Sequence, residues 1–167
     1  PPGSRMPYGR NPLFTGREPE LLALAGSLRA GSTAAIGQIA AATGLGGIGK
    51  SQTAVEFVHR YGRFFAGGVY WLSLADPAAV LAEVAACGDF ADLPLPEQAA
   101  LVQRRWQEAT PRLLVFDNCE EEALLDRWRP RTGGCRVLVT SRRSAWDPVL
   151  GVQTLALGVL PRAESVA

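Results

Sequence analysis

The segment Gly44-Leu45-Gly46-Gly47-Ile48-Gly49-Lys50-Ser51 constrains this chain's fold more than any other stretch. Its glycines permit backbone angles that side chains forbid, so the chain can turn tightly there. Short apolar runs, Thr33 to Ile36 and Gln38 to Thr43, precede it, split at Gly37. They read as a hairpin or as one bent strand. A helical pattern from about Lys50 to Tyr61 follows, with Ala54, Val55, Phe57 and Val58 on its buried side. A strand, a glycine turn and a helix in that order are the opening unit of an α/β domain.

The rest of the chain repeats the alternation. Ahead of the glycine segment, Thr15 to Pro19 starts a helix that carries Leu21, Leu22, Leu24, Ala25 and Leu28 and ends at Gly31. Beyond it, Val69 to Leu74, Leu113 to Phe116, Val137 to Thr140 and Val152 to Leu157 read as strands. Ala78 to Ala86, Glu97 to Ala109 and Glu120 to Trp128 read as helices, and Asp89 to Pro96 as a loop. Strands apolar on both faces and separated by helices predict a parallel sheet covered by helices. Residues 1 to 12, rich in Pro, Gly and Arg, read as an extended, loose arm.

Composition narrows the function classes. The 167 residues are 47% hydrophobic and 20% charged, enough for one domain with a real core. The formal net charge is +1, which gives no electrostatic grip on nucleic acid or an acidic membrane. No apolar run is long enough to span a bilayer, and the N-terminus lacks a signal-type stretch. Cys87, Cys119 and Cys135 are too far apart for a metal-ligand pair, and their odd number argues against a disulfide framework. They read as small core residues in a reducing, cytoplasmic protein.

Gly44 to Ser51 matches G-x-x-x-x-G-K-S, and each part has a physical task. The loop can wrap an anion and aim several N–H groups at it. The helix that follows presents its positive end to the same place. Lys50 is expected to reach the β- and γ-phosphates of a nucleotide, and the Ser51 hydroxyl to bind Mg²⁺. The expected phosphate contacts are Gly44, Gly46, Gly47, Ile48, Gly49, Lys50, Ser51 and Gln52. A carboxylate is needed near the metal, and Asp117 ends the strand Leu113-Leu114-Val115-Phe116. In a parallel sheet the carboxyl ends share one edge, so Asp117 and the glycine loop meet there. Asn118, a neutral amide, can orient a water but cannot take its proton, so slow turnover is expected. Glu120, Glu121 and Glu122 read as a solvated helix start. Val137-Leu138-Val139-Thr140-Ser141-Arg142 delivers Arg142 to the same edge, where it either senses a γ-phosphate or is a surface arginine like Arg143. His59 reads as a helix-surface residue.

Taken in order, Phe14-Thr15-Gly16-Arg17-Glu18, the glycine segment, Leu113 to Asn118 and Val137 to Arg142 resemble the NB-ARC branch of the STAND signal-transduction ATPases. Gly49 to Tyr61, followed by Val69 to Leu72, is most similar to bacterial members that carry tetratricopeptide repeats. The resemblance covers about residues 13 to 165. It implies a three-layer P-loop NTPase fold with a five-stranded, mostly parallel sheet, the Arg142 strand lying between the Gly44 and Asp117 strands. It places Phe14, Thr15 and Arg17 against adenine and makes Arg142 the γ-phosphate sensor. Lys50, Asp117, Asn118 and Arg142 become the catalytic set, with ATP or ADP and Mg²⁺ as cofactors and Ser51 and Asp117 as metal partners. It further implies a switch that rests with ADP and opens with ATP, self-assembly or effector release on opening, and further domains of a larger protein as partners. The family's following helical and winged-helix segments, with a histidine for ADP, are expected beyond residue 167, and Leu160-Pro161-Arg162-Ala163-Glu164 resembles their start.

Two other readings stay open. A phosphotransferase or robust hydrolase would need a basic lid, which Arg127, Arg129 and Arg131 could imitate. A scaffold module would hold its nucleotide as structure alone.

Overall fold

The structure, a computed structural model, describes residues 4–9, 18–30, 33–38, 48–142 and 146–157. In chain order the elements are α1 (Glu18–Ala30), β1 (Thr33–Gln38), α2 (Ile48–Tyr61), β2 (Val69–Ser73), α3 (Val80–Ala85), α4 (Leu95–Trp106), β3 (Arg112–Asp117), α5 (Glu122–Trp128), β4 (Cys135–Thr140) and β5 (Gln153–Leu157). The architecture is α/β, a parallel sheet flanked by helices, as the alternation of apolar runs predicts. At its centre β3 pairs with β2 on one side and β4 on the other, both parallel. The backbones of β1 and β5 continue the sheet beyond β4, giving the order β2-β3-β4-β1-β5. The strand leading to Arg142 therefore lies between the strand leading to Gly44 and the strand ending at Asp117.

Side chains alternate across a strand, so one apolar run serves two layers. On one face Val69, Trp71, Leu113, Val115 and Leu138 pack with Leu21, Leu24 and Leu28 of α1 and with Ala54, Val55, Phe57 and Val58 of α2. On the other, Tyr70, Leu72, Leu114, Phe116, Val137 and Val139 pack with α3, α4 and α5 through Val80, Val84, Val102, Trp106, Leu125 and Trp128. Each large side chain buried this way stabilises the fold by roughly 1.5–3 kcal/mol against leaving it in water. The cysteines join this packing: Cys119 and Cys135 are buried and Cys87 is half-buried, all as thiols.

Several boundaries differ from the sequence reading. Of the two readings for Thr33 to Thr43, the hairpin at Gly37 is excluded, since Thr33 to Gln38 is one continuous strand paired with β4 and β5, while residues 39–43 lie outside the described residues. Leu22 shares the helical spacing of α1 but is 64% exposed, facing away from the sheet. A 3-10 turn over Pro77–Ala79 leads into α3 because Asp76 caps the Ala78 N–H and proline fits the first turn. The helix expected from Glu97 starts at Leu95, with a proline at its start. The helix expected from Glu120 begins two residues later.

Residues 4–9, read from the sequence as part of a loose arm, are tied down along β2. Arg5 N–H donates to the Val69 carbonyl at 2.8 Å, and Trp71 N–H donates to the Arg5 carbonyl at 2.7 Å. The Arg5 guanidinium reaches the Trp71 carbonyl at 2.6 Å and Glu83 at 2.9 Å. Val69 N–H donates to Ser4 Oγ at 2.8 Å, and Tyr8 sits edge-on to Trp71. Composition signals the lack of an apolar period here but says nothing of backbone pairing, which is why the segment read as loose.

Ahead of β4 the chain turns at Gly133, whose φ is +98°. A Cβ there would stand 2.4 Å from the Gln107 carbonyl oxygen, so the turn presses on the end of α4.

Candidate functional site

Because the strands run parallel, β1, β3 and β4 deliver their last residues to one edge of the sheet. The N-terminus of α2 follows the segment that leaves β1. At this edge Ser51 Oγ donates to Asp117 Oδ1 at 2.9 Å. The hydroxyl that closes the glycine motif thus meets the carboxylate that closes β3, residues 66 positions apart.

Asp117 is 6% exposed. A carboxylate so deeply placed must be hydrogen-bonded. Besides Ser51, Thr140 Oγ1 donates to the same Oδ1 at 2.5 Å. Thr140, 1% exposed at the end of β4, also accepts the Asn118 N–H at 2.9 Å. One hydroxyl therefore spends its donor on the carboxylate and an acceptor position on the next residue's backbone.

Asn118 has φ +57°, a left-handed conformation that asparagine tolerates better than most residues. It turns the chain so that successive N–H groups face β4: Cys119 N–H donates to the Thr140 carbonyl at 2.9 Å. The Asn118 side-chain amide lies 3.5 Å from Asp117 Oδ2. The loop after β3 is thereby stitched to the end of β4.

Glu120 extends this stitching. It is not part of a solvated helix start, as the sequence suggested; it lies ahead of α5 and is half-buried. Its carboxylate accepts from Ser141 Oγ at 3.0 Å and from the Arg142 N–H at 3.0 and 3.1 Å. The Arg142 Nε lies 3.5 Å from Glu120 Oε1, while the Arg142 side chain is 76% exposed. Glu122 begins α5 and accepts from the Asp147 N–H at 2.7 Å.

Of the residues singled out from sequence, Ser51, Asp117, Asn118 and Arg142 come to this edge, and half-buried Gln52 follows Ser51 in α2. Ile48, Gly49 and Lys50 form the first turn of α2. Phe14, Thr15, Arg17, Gly44, Gly46 and Gly47 lie outside the described residues. Arg127, Arg129 and Arg131 do not form a lid: Arg127 lies over the Trp128 ring, Arg129 bonds the Leu150 carbonyl, and Arg131 pairs with Asp126 at 2.7 Å. His59 is exposed on α2, with Nε2 3.0 Å from the Tyr8 carbonyl oxygen.

Sequence reasoning assigned no role to Thr140 and misplaced Glu120. The first could have been found by asking which hydroxyl on a neighbouring strand faces the buried Asp117. The second depended on the left-handed turn at Asn118, which residue types alone do not fix.

Chemically, a hydroxyl and a carboxylate side by side offer hard oxygen donors suited to a small divalent cation. Among the described residues no helix is long and apolar enough to cross a membrane.

Comparison with known proteins gives the following. The chain is similar to the regulatory protein AfsR of Streptomyces griseus, with 30% identity over 165 residues, covering 93% of this chain and 17% of that protein. It is also similar to the regulatory protein AfsR of Streptomyces coelicolor, with 29% identity over 168 aligned residues, 92% of this chain and 17% of that protein. The chain thus spans 17% of the length of these curated relatives. No family model matches it.

Proposed function

We propose that this chain is the nucleotide-binding core of a STAND-type regulatory ATPase, of the NB-ARC branch and with the P-loop NTPase fold. It binds ATP and ADP with Mg²⁺ and hydrolyses ATP slowly. The observation that carries this reading is the 2.9 Å contact between Ser51 and Asp117. A G-x-x-x-x-G-K-S segment and a strand-terminal aspartate are each common; their meeting at one sheet edge is what a phosphate-and-metal site requires. The likeness to two proteins named as regulatory supports a signalling role over a metabolic one.

The residues fit the group. Ser51 and Asp117 would hold Mg²⁺, the oxygen-ligated ion that neutralises phosphate charge when bound. Lys50 and the backbone from Gly44 to Ser51, with Gln52 beside them, would hold the phosphates, and Phe14, Thr15 and Arg17 the adenine. Asn118 would orient a water without deprotonating it, which keeps turnover slow. Arg142 would contact the γ-phosphate. Cytoplasmic location, tetratricopeptide repeats elsewhere in the protein, and self-assembly on activation belong to the same proposal.

The test is calorimetric titration with ADP and with a slowly hydrolysed ATP analogue, each with Mg²⁺, on the wild type and Lys50→Ala. Loss of binding by at least tenfold in the variant is expected. Equal binding by both proteins would remove the proposal's basis. The lid arginines' engagement elsewhere speaks against the phosphotransferase reading, and a turnover near the enzyme median of about 10 s⁻¹ would restore it.

A further inference from the structure

The contacts of Glu120 set it apart from an ordinary surface acid. It holds the backbone of Arg142 with both carboxylate oxygens, holds the neighbouring Ser141 hydroxyl, and also draws the Arg142 side chain to it. These contacts differ in strength. The backbone and hydroxyl bonds are short, and Ser141 is buried. The Nε contact is at 3.5 Å on a side chain 76% exposed, where water and salt compete. The first set fixes where the loop after β4 begins. The second can exchange for another anion without disturbing the first.

We infer that Glu120 is a positioning residue that keeps the Arg142 backbone at the site while competing with a γ-phosphate for its guanidinium. This rests on the reading of Arg142 as the γ-phosphate contact and adds the device that sets its threshold. A guanidinium cannot give its Nε edge to Glu120 and keep the same edge for a phosphate. A triphosphate that takes the Nε edge displaces this contact, whereas a diphosphate, lacking the γ-phosphate, leaves it in place. Glu120 would thus tune discrimination between ATP and ADP rather than affinity for both. The turn at Asn118 makes this possible, because it brings Glu120 back toward β4 instead of letting it run on into α5.

The test is Glu120→Gln, which keeps an acceptor oxygen for the Arg142 N–H but removes the charge. Affinities for Mg-ADP and for a slowly hydrolysed Mg-ATP analogue are measured by calorimetry at about 0.05 and about 0.5 M salt, alone and combined with Arg142→Gln. The expected result is a gain of about two- to fivefold for the triphosphate with the diphosphate unchanged. The gain should shrink at the higher salt and vanish in the Arg142→Gln background. Equal shifts for both nucleotides would mean that Glu120 merely holds the loop and would overturn the inference. So would a gain that persists without Arg142, since that is simple relief of repulsion. If Arg142→Gln alone leaves the triphosphate-to-diphosphate ratio unchanged, the assignment of Arg142 itself falls and takes this inference with it. If that variant lowers the ratio while Glu120→Gln does nothing, Glu120 alone is excluded.

Discussion

Thr140→Val changes the site with almost no change in shape, and the structure says what it should cost. The hydroxyl donates to Asp117 Oδ1 and accepts the Asn118 N–H, at a position 1% exposed. Valine replaces that hydroxyl by a methyl. Losing a hydrogen bond to a charged acceptor costs about 1.5–3 kcal/mol. Leaving a buried N–H without an acceptor costs about 1–3 kcal/mol more. The added methyl returns about 1 kcal/mol of burial. The net is a destabilisation of about 1.5–5 kcal/mol. With a urea slope of about 2 kcal/mol/M, the unfolding midpoint should fall by about 0.8–2.5 M. Thr140→Ser is the control: it keeps the hydroxyl and loses a methyl, costing about 1 kcal/mol. Both variants are compared by urea denaturation followed by tryptophan fluorescence. If the valine variant is as stable as the serine one, the hydroxyl is not holding the Asp117 and Asn118 groups, and the account of how this edge is organised fails.

Other expectations follow from the same packing. Gly133→Ala forces a side chain into a positive-φ position against the Gln107 carbonyl, so it should lower stability by more than about 1 kcal/mol, visible as a drop in Tm; an unchanged Tm would mean the turn is not pressed on α4. Burial pushes the Cys135 thiol up to about 11 from 9.0, against the pull of Arg112 and Arg136. Between those values the unfolded chain releases this proton and the folded chain keeps it. Stability should therefore fall as pH rises from about 9 toward 11, by at most about 1.4 kcal/mol per unit from this group. Urea titrations at pH 8 and 10 should show a smaller loss in Cys135→Ala than in the wild type; equal losses would refute the buried thiol's part.

Much of this was readable from the amino-acid sequence, for reasons that can be named. Strands such as Leu113 to Phe116 and Val137 to Val139 are apolar at every position because both faces of the sheet are covered, and that pattern marks a parallel sheet. Asp117 stood out because an acid closes such a run, and parallel topology then carries it to Ser51. What escaped notice depends on backbone conformation or on partners distant in sequence. The left-handed turn at Asn118 decides where Glu120 points. Leu22 obeys the helical period and still faces solvent, since the period gives a stripe without its width. The pairing of Arg5 with β2 joins residues 65 positions apart through main-chain groups that every sequence possesses.

That pairing has a consequence for solubility. β2 is the terminal strand of the sheet, and an outermost strand offers its main chain to any other extended segment that drifts by. Here the groups that would do so are taken: Val69 by Ser4 and Arg5, Trp71 by Arg5, and the Ser73 N–H by Glu83 at 2.6 Å. This flank is partly occupied from within, which leaves a second copy of the chain fewer main-chain groups of β2 to pair with.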